Sequence, residues 1–283
     1  MREAIEQMIA GSGAEAVAVG FKDLVSGEEF CLFGDEPFHA ASTMKVCVLM
    51  ELFHRDSLGE LSLDDPVEIR NEFRSIVDGS PYSLDQADDS ELGLYGRIGE
   101  AESLIGLAMP MITHSSNLAT NLLVERLGAE RITAFMADLG APGLAVLRGV
   151  EDGKAYRLGL NNTVTARGLT TILARLGRGE VVSPEASQAM LDILFAQTHR
   201  ACIPAGVPSD ARVANKPGWN SAACHDCGLV FPYIGSPYAL AVLTRGLDEK
   251  SEGLNLIAAI SERIYDRAPV SRRDSSSKPS VGA

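Results

Sequence analysis

The stretch HAASTMKVCVLMELF, from His39 to Phe53, carries the decisive information about this chain. A run of small and polar residues stops and a long apolar, helix-forming run begins, with Ser42 at the junction and Lys45 three residues on. Residues i and i+3 share one face of a helix, so the Lys45 amine and the Ser42 hydroxyl point the same way. A helix start also offers unpaired backbone N–H groups and a positive dipole end, both useful to a developing oxyanion. A serine hydroxyl is a weak nucleophile until a base takes its proton, and a desolvated lysine is such a base. The competing reading is a Ser42 helix cap beside a solvated Lys45. The pattern S-x-x-K also arises cheaply, since Ser275 to Lys278 repeats it near the C-terminus.

Before this junction, AEAVAVGFKDL alternates and is rich in Val, VSG makes a turn and EEFCLFG continues, which predicts a β-hairpin after a short amphipathic N-terminal helix. After it, the pattern is helical from about 43 to 55, loop-rich to about 101, and helical again from about 102 to 137, with Gly128 as a cap. RGVEDGKAYRLGLNN reads as an ordered loop, followed by the helices TVTARGLTTILARLGRG and SPEASQAMLDILFAQT. Strand signals return in ARVANKPGW, CGLVFPY and YALAVLTRG, and GLNLIAAISERIYDRA closes the chain as a helix. The fold class is therefore α/β in the α+β sense: one antiparallel sheet built from both chain ends with flanking helices, and an all-helical lobe inserted between. The expected organisation is one domain over residues 1–270, with an α/β lobe at about 1–45 and 205–268, a helical lobe at about 46–204, and a disordered polar tail at 271–283.

At 283 residues and 46% hydrophobic the chain can bury a substantial core. A formal charge of −13 argues against nucleic acid or an anionic membrane as partner, because those surfaces attract basic proteins. No apolar run reaches the roughly 18–20 residues of a membrane span. MREAIEQMIAGSG lacks the features of a signal peptide, so the expected location is cytoplasmic, or secreted or periplasmic if a leader precedes it. Of the five cysteines, Cys224 and Cys227 have C-x-x-C spacing, but a zinc site needs a second ligand pair and none is visible. They read as ordinary strand cysteines, and no metal or cofactor is expected.

Two further groups can carry chemistry. His114-Ser115-Ser116-Asn117, at a helix start, offers a hydroxyl for proton shuttling and an amide to hold a substrate carbonyl; helix capping is the plain alternative. Asn215-Lys216-Pro217-Gly218-Trp219, entering a late strand, offers a cation that can tune a hydroxyl or attract a carboxylate, and a glycine that lets a ligand approach the backbone. Its alternative is a simple turn.

Ser-x-x-Lys after the first hairpin, Ser-x-Asn in the helical part and Lys-x-Gly on a late strand, in that order, resemble the class A β-lactamases and related penicillin-binding serine enzymes over about residues 1–268. The resemblance implies that Ser42 is the acylated nucleophile and Lys45 its base or proton partner. Ser115 would pass a proton to the leaving nitrogen, Asn117 would bind the substrate's amide, and Lys216 would tune Ser115 and draw in a carboxylate. The backbone N–H groups of Ser42 and Trp219 would form the oxyanion hole, beside Gly218.

Three departures stand out. Ser116 replaces the usual Asp. Pro217 replaces the hydroxyl residue between Lys216 and Gly218, which removes a donor for a substrate carboxylate. The glutamate that such enzymes use to activate the deacylating water is best matched by Glu151, with Asp152 competing. Tyr82 and Tyr95, in a long segment between Ser42 and Ser115, are candidates to line the cleft.

The expected function is a serine acyl hydrolase working through a Ser42 acyl-enzyme on a small-molecule acyl substrate, with β-lactam hydrolysis as the named activity. The alternatives are an esterase, amidase or acyltransferase on another substrate, a penicillin-binding protein that acylates without turnover, and a binding protein that has kept the cleft without catalysis.

Overall fold

The Val-rich N-terminal stretch pairs with its neighbour as an antiparallel hairpin, β1 (Ala16–Asp23) and β2 (Glu29–Leu32). The Asp23 carboxylate closes the turn by accepting from Val25 N at 2.8 Å and Ser26 N at 2.6 Å. Three late strands join it: β3 (Arg212–Asn220), β4 (Ala223–Phe231) and β5 (Tyr238–Arg245). The five form one antiparallel sheet in the order β2-β1-β5-β4-β3, so the two chain ends meet where β1 pairs with β5 and the sheet ends at β3. The computed structural model describes residues 2–247 and 252–267, and the tail expectation for 271–283 lies outside them.

Both faces of the sheet are covered, which is why β4 and β5 are buried almost throughout and β5 reads as a near-continuous apolar run. One face carries Val17, Val19, Phe21, Leu240 and Val242 against α1 (Arg2–Ala10) and α9 (Glu252–Tyr265). The other carries Ala18, Ala239, Ala241 and Leu243 and belongs to the larger core with the remaining helices. Cys224 lies in the first cluster and Cys227 in the second, so the C-x-x-C cysteines face opposite sides of β4. Among the described residues no cluster of His, Cys, Asp and Glu could hold a metal ion.

The inserted segment contains α2 (Lys45–Ser57), α3 (Leu104–Thr113), α4 (Asn117–Leu127), α5 (Ala129–Asp138), the short α6 (Gly153–Arg157), α7 (Ala166–Gly177) and α8 (Pro184–Phe195). Helix α2 is buried at every residue from Lys45 to Phe53, as suits a helix that is apolar nearly all round. Gly128, at φ 86°, ends α4 as its cap. Helix α7 packs on the sheet against β1, β5 and β4, although it lies within the 46–204 stretch. No helix among the described residues is long and apolar enough to cross a membrane.

Candidate active site

Ser42 lies in a 3-10 turn, Ala41–Met44, that runs into α2. It does not cap the helix: the cap position of α2 is Met44 and that of the turn Ala40, and no side chain bonds at either. The turn presses against β3. A Cβ built on Gly218 would stand 2.5 Å from Ser42 N and 2.9 Å from Thr43 N, so only glycine lets strand and turn approach this closely. Strand β3 is the sheet edge, and Pro217 O accepts from Lys216 Nζ at 2.7 Å. Alternate residues of an antiparallel strand direct their backbone groups the same way, so the Trp219 N–H points to the side Pro217 O does, toward the turn that holds Ser42.

Lys45 is fully buried, and its amine donates to Ser115 O at 2.7 Å, Asn117 Oδ1 at 2.9 Å, Ser115 Oγ at 3.2 Å and Ser116 O at 3.4 Å. Among the described residues none of its hydrogen bonds goes to Ser42 Oγ, so the shared helix face does not by itself pair the two. Burial, with Lys216 nearby, holds the amine well below the usual lysine range. A neutral amine has two N–H groups and one lone pair. The two shortest contacts are to oxygens that can only accept, which leaves the lone pair free to take a proton.

Ser115 sits between two lysines, with its Oγ 3.2 Å from Lys45 Nζ and 3.1 Å from Lys216 Nζ. Lys216 is fully buried, and burial lowers it to about 8. Ser115 holds φ 60°, Ala41 φ 44° and Glu151 φ 61°. Three of the five non-glycine residues with positive φ among the described residues thus stand at or beside the predicted reactive groups. Such strain costs of order 1–3 kcal/mol each and persists only where the surroundings enforce it.

Glu151 enters the same cleft. Its Oε1 accepts from Asn117 Nδ2 at 2.7 Å and its Oε2 from Asp85 N at 3.4 Å. Burial raises its carboxyl above the usual range despite the Asn117 bond, and Asp88 and Asp89 add to the effect. The competing Asp152 is committed elsewhere: it caps α6 through Ala155 N and accepts from Ser75 Oγ and Ile76 N. The loop that presents Glu151 is stitched from within. Arg148, buried, donates to Leu160 O, Gly149 O and Asn161 Oδ1, each at 2.9 Å, and Asn162 Oδ1 accepts from Leu147 N and Arg148 N.

Sequence reasoning missed Asp89. Its Oδ2 accepts from Asn117 N and Leu118 N, both at 2.9 Å, and from Tyr95 OH at 3.0 Å. With Ser116 Oγ accepting from Ala119 N, it satisfies the first N–H groups of α4 and fixes Asn117 in place. No local pattern announces a cap supplied from 28 residues away. The two tyrosines are struts: Tyr95 holds Asp89, and Tyr82 OH donates to Val150 O at 3.3 Å, next to Glu151. Neither borders the cleft.

Two adjoining cavities open on Ser42, Asn117 and Trp219. The larger, about 400 Å³, also meets His39, Glu151 and Tyr156. The smaller, about 130 Å³, also meets Ser115, Gly218, Asp88 and Ser90. Trp219 packs edge-on to His199, with ring centroids 5.0 Å apart.

A serine at the mouth of a cleft, two buried lysines flanking a second serine, and this sheet-and-helix fold define a serine hydrolase of the β-lactamase type. The chain belongs to the beta-lactamase enzyme family, whose model matches residues 1–268. It is 26% identical over 227 residues to a β-lactamase of Rhodobacter capsulatus, covering 78% of this chain and 72% of that protein. Its fold superimposes on the structure of PBP-A with a TM-score of 0.81, at 25% identity and over 94% of each chain. A β-lactamase from Sphaerobacter thermophilus gives a TM-score of 0.77 at 24% identity, over 95% of this chain and 97% of that one.

Proposed function

We propose that the protein hydrolyses β-lactam rings through an acyl-enzyme on Ser42. The observation that carries this reading is Ser115 Oγ placed between Lys45 Nζ and Lys216 Nζ, at 3.2 and 3.1 Å, on the cleft that Ser42 and Glu151 share. A variant of PBP-A has been solved as its acyl-enzyme with penicillin G, which supports penicillins as acyl donors for this chain too.

In this mechanism Ser42 Oγ attacks the lactam carbonyl and its proton passes to neutral Lys45. The carbonyl oxygen gains charge between the N–H groups of Ser42 and Trp219; removing one such donor costs about 10²–10³ in rate. Lys45 returns the proton through Ser115 Oγ to the departing nitrogen, while Lys216 steadies that hydroxyl. Glu151 then takes a proton from water, the water oxygen adds to the acyl carbonyl, and Ser42 leaves with a proton.

Pro217 favours a second reading, hydrolysis of an ester or amide other than a lactam, because no hydroxyl stands between Lys216 and Gly218 to hold a carboxylate. Following penicillin G absorbance with the wild type and with Ser42→Ala tests the proposal. Steady consumption by the wild type alone supports it. Consumption by neither, alongside Ser42-dependent cleavage of a simple thioester, moves the assignment to the second reading.

A further inference from the structure

The turn that carries Ser42 is held by a side chain outside the three motifs, the ring of His39. The first N–H groups of a helical turn have no acceptor within it. In the turn Ala41–Met44 the first of them, Ala41 N, donates to His39 Nδ1 at 3.1 Å. Ala41 is left-handed, at φ 44°, a conformation that residues with a side chain rarely adopt, and it directly precedes Ser42. The His39 bond therefore acts on the one strained residue that sets the direction of the Ser42 N–H.

His39 is itself fixed from several sides. Its carbonyl accepts from His225 Nε2 at 2.9 Å, and His225, fully buried in β4, accepts at Nδ1 from Thr244 N at 3.0 Å. Burial lowers His225 to about 4, so it stays neutral and keeps this anchor. The His39 backbone pairs with Thr163, in the segment that follows the Glu151 loop. Asn220 spends its Oδ1 on Ala222 N and turns its Nδ2 to His39 Nδ1 at 3.4 Å. Two donors thus converge on Nδ1, which requires the neutral ring to carry its proton on Nε2. A proton on Nδ1 would meet them as a third donor.

The ring borders the larger cavity and stands edge-on to Tyr156 of α6, with centroids 6.1 Å apart. Burial first, and then Arg148, hold it below the usual histidine range. The carboxylates of Glu151 and Asp152 line the same cavity but are engaged by Asn117 Nδ2 and Ala155 N.

We propose that His39 is a positioning residue for acylation: its neutral ring keeps Ala41 left-handed and the Ser42 N–H aimed into the cleft, and protonation of the ring releases the turn. The link to acylation rests on the Ser42 role proposed above, whereas the clamp on the turn does not.

The test has one arm without substrate. In 15N-labelled protein the His39 ring should show the Nε2–H tautomer near neutral pH. On acidification the Ala41 amide proton should move upfield with the same midpoint as the ring, as an N–H that loses its acceptor does. In His39→Asn protein, whose side-chain oxygen can accept from the N–H two residues on, that movement should vanish. The second arm uses Glu151→Gln protein and penicillin G at pH 8. Adding His39→Phe should cut the maximal acylation rate about tenfold, the scale of one lost hydrogen bond, with the apparent Kd changed less than about twofold. Adding His39→Asn instead should recover most of that rate. An Nδ1–H tautomer, an Ala41 amide indifferent to the ring, unchanged acylation in the His39→Phe protein, or no recovery with His39→Asn overturns the proposal. No adduct in any variant removes the lactam reading alone, and the tautomer and the amide then decide the clamp.

Discussion

Asn117 Nδ2 lies 2.7 Å from Glu151 Oε1 while Asn117 Oδ1 lies 2.9 Å from Lys45 Nζ, so one amide ties the acylating amine to the carboxylate assigned to deacylation. Each end of the amide keeps one unused hydrogen-bonding valence, which a substrate amide can fill without breaking the link.

The Asn117 bond favours the ionised form of Glu151 and so lowers its pKa against the opposing effect of burial. Asn117→Ala removes that bond, and the carboxyl should rise further. Because the base must be ionised to accept a proton from water, the acid limb of the deacylation rate should move to higher pH. A pH profile of single-turnover deacylation checks this; an unmoved limb contradicts the coupling.

Lys216, lowered to about 8 by burial, loses its proton within the working range of most hydrolases. Charged Lys216 donates to Ser115 Oγ, so kcat/KM should fall as pH rises through about 8. Lys216→Arg keeps the charge at all accessible pH, and the alkaline limb should move upward even as the maximum rate drops.

At Gly218 the neighbour of an added Cβ is backbone, not a flexible side chain. Gly218→Ala must push β3 away from the turn that holds Ser42, and the two oxyanion donors separate. Acylation should slow by about 10²–10³, the cost of one lost donor. A rate within a few fold of wild type in a pre-steady-state acylation assay would count against this oxyanion hole.

Much of this architecture is legible in the sequence because it is locally encoded. The alternating Val-rich run before Gly20, the apolar run after Lys45 and the glycine at 128 are periodic or cap signals that fix elements within a few residues. The order of the three motifs then places Ser42, Ser115 and Lys216, because fold topology brings those elements together. What stayed hidden depends on distant partners. Nothing near residue 89 signals that its carboxylate caps a helix beginning at Asn117, nor that Tyr82 and Tyr95 are struts. The engagement of Asp152 by Ser75 and Ile76, which separates it from Glu151, is likewise a contact across more than seventy residues. Left-handed backbone at Ala41, Ser115 and Glu151 runs against local preference and is imposed by the surrounding packing.

Arg148 holds the Glu151 loop through three oxygens, and truncation leaves them without that donor in a partly buried setting. Arg148→Ala should lower stability by about 1–3 kcal/mol and slow deacylation more than acylation, since Ser42 and Lys45 lie outside the loop. Denaturant midpoints, paired with burst kinetics, measure both; equal slowing of the two steps would argue against a positioning role.

The most direct test of the Ser42 acyl-enzyme and its release by Glu151 is the intact mass of Glu151→Gln protein during incubation with penicillin G. The expected result is one penicilloyl adduct per chain, long-lived, absent from Ser42→Ala/Glu151→Gln protein and only fleeting in the wild type. No adduct on Glu151→Gln, or one that clears as fast as in the wild type, would contradict the account.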